Sequence, residues 1–241
     1  MRFFKRIIIA GVLATVPLLS QAEQVLPAAF RAEFLLYTKG IKVARMEREY
    51  SRAADGSYSY RSETQATGLI ALLRNDLILE ITNWLLEGDN IKPVHYSYSH
   101  TRTKKERQVT IDFDWGKRQI TNSINGEAWN MPVEPGTMDK LLYQLAIMRD
   151  LKSGKSPISY TIADGGKIKT YNFELVGEEM LDTPLGEFHT LKLLRDKPNS
   201  RRKTTLWCAR ELEYLPVRVE NIESDGRKTV AVINAYNGTN N

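Results

Sequence analysis

The sequence predicts a mainly β protein: a curled or incomplete antiparallel β-barrel with one amphipathic helix packed at its opening. Three observations lead to this prediction. Short runs of alternating apolar and polar residues recur along the chain, turn-forming residues separate these runs at steady spacing, and a single long segment has helical periodicity. Because no helices recur between the strand-like runs, a parallel β-α-β arrangement is not expected.

The strand-like runs alternate with a period of two residues. Residues 109–115 show it most clearly, because Val109, Ile111 and Phe113 are apolar while Asp112 and Asp114 are charged. Such alternation is typical of strands with one buried and one wet face. Tight hairpins are favoured by the turn pairs between the runs, which include Asp55-Gly56, Asn125-Gly126 and Asp225-Gly226. Their apolar context predicts that the tryptophans lie in the core: Trp84, Trp115, Trp129 and Trp207.

The predicted helix covers residues 137–153, with Thr137 as its N-cap and Gly154 at its end. One apolar face consists of Met138, Leu141, Leu142, Leu145 and Met148, and a second stripe, roughly opposite, consists of Tyr143, Ile147 and Leu151. A helix with two apolar faces is normally sandwiched between layers. For the second stripe two alternatives stay open: another strand or loop covers it, or it lines a cavity or docking surface for an apolar ligand or partner.

The N-terminal residues 1–22 have the three parts of a cleavable secretory signal peptide. Arg2, Lys5 and Arg6 precede an apolar run, and Ser20-Gln21-Ala22 places small residues at the −3 and −1 positions. The run is shorter than the roughly 20 residues that a membrane-spanning helix needs. We therefore expect a periplasmic protein that begins at Glu23, with residues 23–241 forming a single antiparallel β domain and no transmembrane segment.

The net charge argues against a nucleic-acid partner. The leader holds three basic and no acidic residues, so its removal lowers the net charge from +5 to +2. Basic residues gather at residues 102–107 and 201–203, both between strand-like runs. Solvated loops are one interpretation of these two clusters, and an anionic partner such as a lipid headgroup is the other.

Residues that catalyse reactions or bind metals do not form a recognisable set. His95 and His100 are five residues apart on a strand, which places them on opposite faces. Asp112 and Asp114 share the wet face of their strand, and Cys208, the single cysteine, is expected to be buried. We expect no catalytic site, no metal and no cofactor.

An ordered set of short motifs resembles a known family. The motifs are Gly40-Ile41-Lys42-Val43, Asn83-Trp84, Pro93, Phe113-Asp114, Leu141-Leu142-Tyr143 with Arg149, Asp182-Thr183-Pro184-Leu185-Gly186-Glu187-Phe188, Leu206-Trp207 and Leu215-Pro216-Val217-Arg218. In this order they resemble the bacterial family called domain of unknown function 3108, from about Phe30 to the C-terminus. Ala44 stands where the family tends to have a second glycine. The resemblance implies an exported antiparallel β protein, and it carries no established activity and no catalytic residues.

These expectations favour a monomeric, non-enzymatic envelope protein that binds an amphiphilic or apolar ligand such as a lipid. The second hypothesis is a protein-interaction module that serves envelope assembly without a small ligand, and the third is an enzyme of unknown type. Tyr143, Ile147 and Leu151 are the candidate contact residues. An apolar cavity on the order of several hundred Å3 favours the first hypothesis, a filled barrel with an exposed apolar patch the second, and a concave cluster of perturbed carboxylates or histidines the third.

Overall fold

The computed structural model describes residues 26–73, 75–156, 158–196 and 201–238, so the predicted signal peptide and its cleavage point before Glu23 lie outside the described residues. Within these ranges there are two α-helices, α1 (Gly68–Leu73) and α2 (Tyr143–Lys152), and a 3₁₀ turn covers Arg210–Leu212. The strands are β1 (Phe30–Thr38), β2 (Ile41–Arg52), β3 (Tyr58–Ala66), β4 (Leu77–Glu87), β5 (Asn90–Thr101), β6 (Arg107–Asp114), β7 (Gln119–Ile124), β8 (Glu127–Pro132), β9 (Met138–Asp139), β10 (Ile158–Ala163), β11 (Ile168–Thr183), β12 (Gly186–Asp196), β13 (Lys203–Ala209), β14 (Leu215–Ile222) and β15 (Lys228–Gly238).

All of these strands belong to one sheet, in the order β8-β7-β6-β5-β4-β3-β2-β1-β15-β14-β13-β12-β11-β10-β9. Neighbours are antiparallel except β9 and β10, which pair in parallel through Met138 and Asp139. The edge strands β8 and β9 do not pair with each other, so the sheet is curled and open rather than closed. This arrangement confirms the predicted mainly β fold with an incomplete antiparallel barrel.

The two ends of the open sheet are not joined by a hydrogen-bonded ladder, but they contact each other through side chains. Trp129 on β8 packs against Gly166 in the turn between β10 and β11, and a Cβ on Gly166 would lie 2.1 Å from the indole ring. Gly166 also has a φ of +74°, so both its conformation and the close approach require glycine. Trp129 remains 36% exposed, so its predicted place in the core is wrong, whereas Trp84 is fully buried.

The helix α2 lies inside the curl of the sheet, where it contacts β10 and β14. Its predicted start at Thr137 is wrong: Met138 and Asp139 form β9, and the helix begins at Tyr143. The reason is that the Asp139 carboxylate accepts hydrogen bonds from the backbone N–H groups of Leu141 and Leu142, which caps the turn that enters the helix. The predicted end is confirmed, since Gly154 follows the last turn with a φ of +72°.

Hairpin connectivity gives the barrel two distinct ends. The turns that follow β1, β3, β5, β7, β10, β12 and β14 lie together at one end, which we call the pocket end. The turns that follow β2, β4, β6, β11 and β13 lie at the other, which we call the opposite end. β9 enters the barrel alongside β10 and runs toward the pocket end, and α2 then leads back toward the opposite end. In the described part of the chain, neither helix has the length and apolar character needed to cross a membrane.

Candidate functional site: a polar pocket above the internal helix

The segment between β9 and α2 is fixed by a buried carboxylate. Asp139 is fully buried, and its second oxygen accepts a hydrogen bond of 2.5 Å from the Thr82 hydroxyl on β4. Burial raises the pKa of Asp139 to about 6, although the hydrogen bonds from Thr82, Leu142 and Leu141 offset part of this effect. Because β4 and β9 lie far apart in the sheet order, this contact ties the internal segment to the far wall of the barrel.

Lys140 follows Asp139 and places a cation above the internal helix. Its ammonium lies 3.1 Å from the carboxylate of Glu80 and 4.3 Å from the ring centre of Tyr98. Tyr96 donates a hydrogen bond of 2.8 Å to the same Glu80 carboxylate. Burial, together with the charge of Glu80, raises the pKa of the Tyr96 hydroxyl, so this group stays a hydrogen-bond donor at neutral pH.

A second carboxylate, that of Asp164, lies on the other side of this charged cluster. Asp164, in the turn after β10, accepts hydrogen bonds from Lys169 at 2.6 Å and from the Tyr171 hydroxyl at 3.0 Å. Burial opposes its ionisation, but these hydrogen bonds and the charge of Lys169 outweigh burial, and the pKa of Asp164 lies below its usual value. Arg195 stacks on the Tyr171 ring at 3.8 Å, which adds a cation to this wall.

Lys140, the two tyrosines and Asp164 line a cavity of about 230 Å3 at the pocket end, which we call the Lys140 pocket. Aromatic rings form one wall, and charged groups of both signs form the others. Arg107 is exposed, and no described residue forms an ion pair with it, so it is a cation available to a ligand. The lining residues are Tyr96, Tyr98, Arg107, Val109, Lys140, Asp164 and Gly165. A pocket of this size and composition suits a small charged or hydrogen-bonding group that rests on an aromatic face.

One further cation lies in the barrel wall without a carboxylate partner among the described residues. Arg48 on β2 is only 7% exposed, and its Nε and Nη1 atoms have no hydrogen-bond partner among the described residues. Its guanidinium lies 5.2 Å from the ring centre of Phe34, and its charge acts on the hydroxyls of Tyr60 and Tyr143. A buried cation without a carboxylate partner lowers stability, which makes Arg48 a costly residue to keep in this position.

The second apolar stripe of the helix is inside the protein. Tyr143, Ile147 and Leu151 are 8%, 0% and 8% exposed. Tyr143 packs against β10 and β11, with ring centres 5.7 Å from Phe173 and 5.5 Å from Tyr171. Other strands therefore cover the stripe, and it does not form an open docking surface. Leu151 borders a small cavity of about 90 Å3, which the apolar side chains of β11 and β12 also line.

The remaining candidates from the sequence stay apart from the Lys140 pocket. Asp112 is exposed and lies 2.7 Å from His95, whereas His100 points inward and lies 3.7 Å from Asp76. Among the described residues, no group of histidine, cysteine and carboxylate side chains has the geometry of a metal site. Cys208 is fully buried, as predicted, and burial raises the pKa of its thiol.

The pocket residues were not found from the sequence. Tyr96 and Tyr98 stand out only as part of the alternation of β5, and Lys140 lies within the predicted helix as an ordinary polar residue. Asp139 is the one position with a readable signal, because an aspartate ahead of an apolar helical run is a common cap. Thr137, two residues earlier, competes for the same role.

Comparison with solved structures shows the fold that this chain shares. A β-barrel-like protein of domain of unknown function DUF1849 from Brucella abortus aligns with a TM-score of 0.58 at 9% identity, covering 90% of this chain and 100% of that one. Weaker similarity links it to a protein from Parabacteroides distasonis titled "putative lipoprotein", with a TM-score of 0.35, 12% identity and coverage of 88% and 98%. MucB in complex with MucA(peri) gives a TM-score of 0.18 at 11% identity, covering 86% and 87%.

Sequence comparison identifies the family of this chain, and the description of that family names no activity. No curated protein matches this chain. The family described as "Protein of unknown function (DUF3108)" matches residues 33–232, which include every strand from β2 to β14 and the whole Lys140 pocket. The chain therefore belongs to the DUF3108 family.

Proposed function

We propose that this chain is a non-enzymatic protein of the bacterial periplasm that binds the charged head of an amphiphilic ligand in the Lys140 pocket. The observation that carries the proposal is the position of Lys140. Its ammonium lies over the Tyr98 ring in a cavity open to the pocket end, with Arg107 as a second cation in the lining. A cation held over an aromatic face beside an available arginine suits an anionic headgroup.

The volume of the pocket limits what it accepts. About 230 Å3 holds a headgroup and the first carbons of a chain, whereas pockets for larger ligands typically measure roughly 300–1,000 Å3. The helix α2 fills the interior below, with Leu142, Leu145 and Ile147 fully buried. We therefore propose that an acyl or other apolar portion stays outside the barrel rather than within it.

Binding without catalysis is favoured by the charge state of the groups. Lys140 forms an ion pair of 3.1 Å with Glu80, so its nitrogen is held in a charge pair rather than presented as a free nucleophile. The Tyr96 hydroxyl is already engaged with Glu80. The periplasmic location in this proposal is supported by the three-part pattern of residues 1–22.

A protein-interaction module serving envelope assembly is the second candidate, and one observation favours it. The barrel is filled while Leu72 and Leu73 on α1 are exposed, which is the pattern expected of a docking surface. The two candidates differ in the Lys140 pocket, because a protein partner that contacts α1 does not require the pocket cations.

Binding of a fluorescent anionic amphiphile, dansyl-labelled undecanoic acid, tests the proposal. Lys140→Met together with Glu80→Gln removes both charges of the pair while leaving an acceptor for Tyr96. We expect this double variant to weaken binding at least about tenfold with little change in melting temperature, because the headgroup loses its counter-charge.

Lys117→Met with Asp114→Asn is the matched control, since it removes an exposed ion pair of 2.9 Å at the opposite end. It should bind as the wild type does. The proposal is wrong if the wild type fails to bind the probe, or if the pocket variant and the control bind equally well.

A further inference from the structure

The pocket end exposes apolar side chains. Ile41 at the start of β2 is 63% exposed, and Leu72 and Leu73 on α1 are 82% and 83% exposed. They lie near one another because α1 packs against β2, where Thr67 donates its backbone N–H to the carbonyl of Val43. None of the described residues covers these three side chains. Together they form an apolar tip, Ile41 with Leu72 and Leu73, at the outer edge of the barrel.

Basic side chains flank the apolar tip on both sides. An open groove of about 720 Å3 joins Leu73 to Arg102 and Lys104 in the loop after β5. On the other side, Lys39 shares a groove of about 700 Å3 with Arg227 and Lys228 from the turn between β14 and β15. The apolar tip and its basic flanks therefore follow one continuous rim, which we call the basic rim.

Several of these cations have no acidic partner in the part of the chain that the structure describes. In the described parts of the molecule, no carboxylate forms an ion pair with Lys39, Lys104 or Lys105, and all three are exposed. Arg227 and Lys228 do have acidic neighbours, in Asp225 and Glu220. The positive charge on the rim that is not paired with a carboxylate therefore comes mainly from the two loops next to the apolar tip.

The turns at the opposite end carry more acidic than basic side chains. Its turns present Asp55, Asp89, Glu134, Glu211 and Glu213, with fewer basic residues among them. Of these acids, Glu213 is the one that pairs with α2, through Lys152 at 3.6 Å. A surface of negative charge attracts the pocket end and repels the opposite end, so the charge distribution fixes an orientation as well as an affinity.

We propose that the basic rim docks on the surface of an anionic lipid bilayer. Ile41, Leu72 and Leu73 enter the boundary between headgroups and acyl chains, while the loop cations of residues 39 and 102–105 contact lipid phosphates. Exposed apolar side chains ringed by lysine and arginine fit this partner, since a neutral or acidic protein surface satisfies only one of the two features. In this orientation the Lys140 pocket faces the membrane, but docking does not require a ligand in the pocket.

Flotation of the purified native protein with vesicles tests the proposal. We compare vesicles of phosphatidylcholine alone with vesicles that contain three parts in ten of phosphatidylglycerol. Binding is expected only with phosphatidylglycerol, and raising the salt concentration from 50 mM to 500 mM should reduce it at least about fivefold, because counterions screen the loop charges.

Two variants separate the apolar and charged contributions. Leu72→Ser with Leu73→Ser should lower vesicle binding at least about tenfold, and Lys104→Glu with Lys105→Glu should lower it by a similar factor. The matched control is Val176→Ser with Met180→Ser, which replaces exposed apolar side chains on β11 away from the rim. The control should bind vesicles as the wild type does.

Three outcomes would overturn the proposal. The first is equal binding of the protein to both kinds of vesicle. The second is that the Leu72 and Leu73 variant binds vesicles as well as the wild type does. The third is that the wild type associates with itself without lipid, in a concentration-dependent way, and that the Leu72 and Leu73 variant does not. The last outcome would make the apolar tip a protein interface. The pocket variant at Lys140 and Glu80 should still float with vesicles, and the Leu72 and Leu73 variant should still bind the soluble amphiphile, so the two proposals fail independently.

Discussion

The two ends of the barrel are built from different chemistry. The opposite end holds an aromatic stack in which Trp84 lies 5.7 Å from Tyr50 and 5.5 Å from Tyr58, with Phe30 packed beside Tyr50. The pocket end instead holds charged groups around Lys140 and an exposed apolar tip. Stacked aromatic rings stabilise the fold, whereas buried charges and exposed leucines lower stability or solubility. The opposite end therefore contributes a buried aromatic cluster to the core, whereas the pocket end carries the candidate function.

The largest effect is expected from removing the aromatic stack. Trp84→Ala deletes a fully buried indole that contacts two rings, so we expect the free energy of unfolding to fall by about 3–5 kcal/mol. Urea unfolding followed by circular dichroism measures this change. A loss below about 1 kcal/mol would contradict the stabilising role assigned to the aromatic stack. Leu85→Ala, at an exposed position on the same strand, is the control and should cost much less.

A pH-dependent effect is expected at Asp139. The folded pKa of Asp139 is about 6, above the value of about 3.9 in an unfolded chain, so the native state binds the extra proton between these values. Its contribution to stability is therefore complete below about pH 4 and is lost as the pH rises through about 6, with a total loss of roughly 3 kcal/mol.

Asp139→Asn removes this titration while keeping an acceptor for Leu141 and Leu142. The difference in unfolding free energy between the variant and the wild type should shift in favour of the variant as the pH rises from 4 to 6. Thermal or urea unfolding at several pH values measures it, and the subtraction cancels other titrating groups. A difference that stays constant with pH would show that Asp139 is ionised with an ordinary pKa.

The smallest effect, and one of opposite sign, is expected at Arg48. Arg48→Met replaces a buried cation, which has no carboxylate partner among the described residues, by an apolar side chain of similar length, so stability should be unchanged or rise by about 1–2 kcal/mol. A loss of more than about 2 kcal/mol would mean that the guanidinium makes essential interactions with Phe34 and Tyr60. The melting temperature of the variant, compared with that of Arg45→Met on the exposed face of β2, provides the measurement.

How far the candidate site was predictable depends on the distance along the chain between its members. Alternation in residues 109–115 and the turn glycines predicted the strands correctly, because these signals are local. The Lys140 pocket joins β5, β6, the residue that follows β9 and the turn after β10, which no periodicity connects. The predicted contact residues Tyr143, Ile147 and Leu151 were chosen for being apolar on a second helix face, and burial by β10 and β11 accounts for that pattern.

The sequence by itself determined the antiparallel strands, the turns and the presence of one doubly apolar helix, since each follows from side-chain period and from local backbone preference. Only the tertiary structure decided that Met138 and Asp139 join the sheet, because that requires a ladder with β10 and a hydrogen bond from Thr82. It also decided that Lys140 meets Tyr98, and that Leu72 and Leu73 share a rim with Arg102. Curling of the sheet brings distant residues together, and that curvature is a property of the whole sheet rather than of any segment.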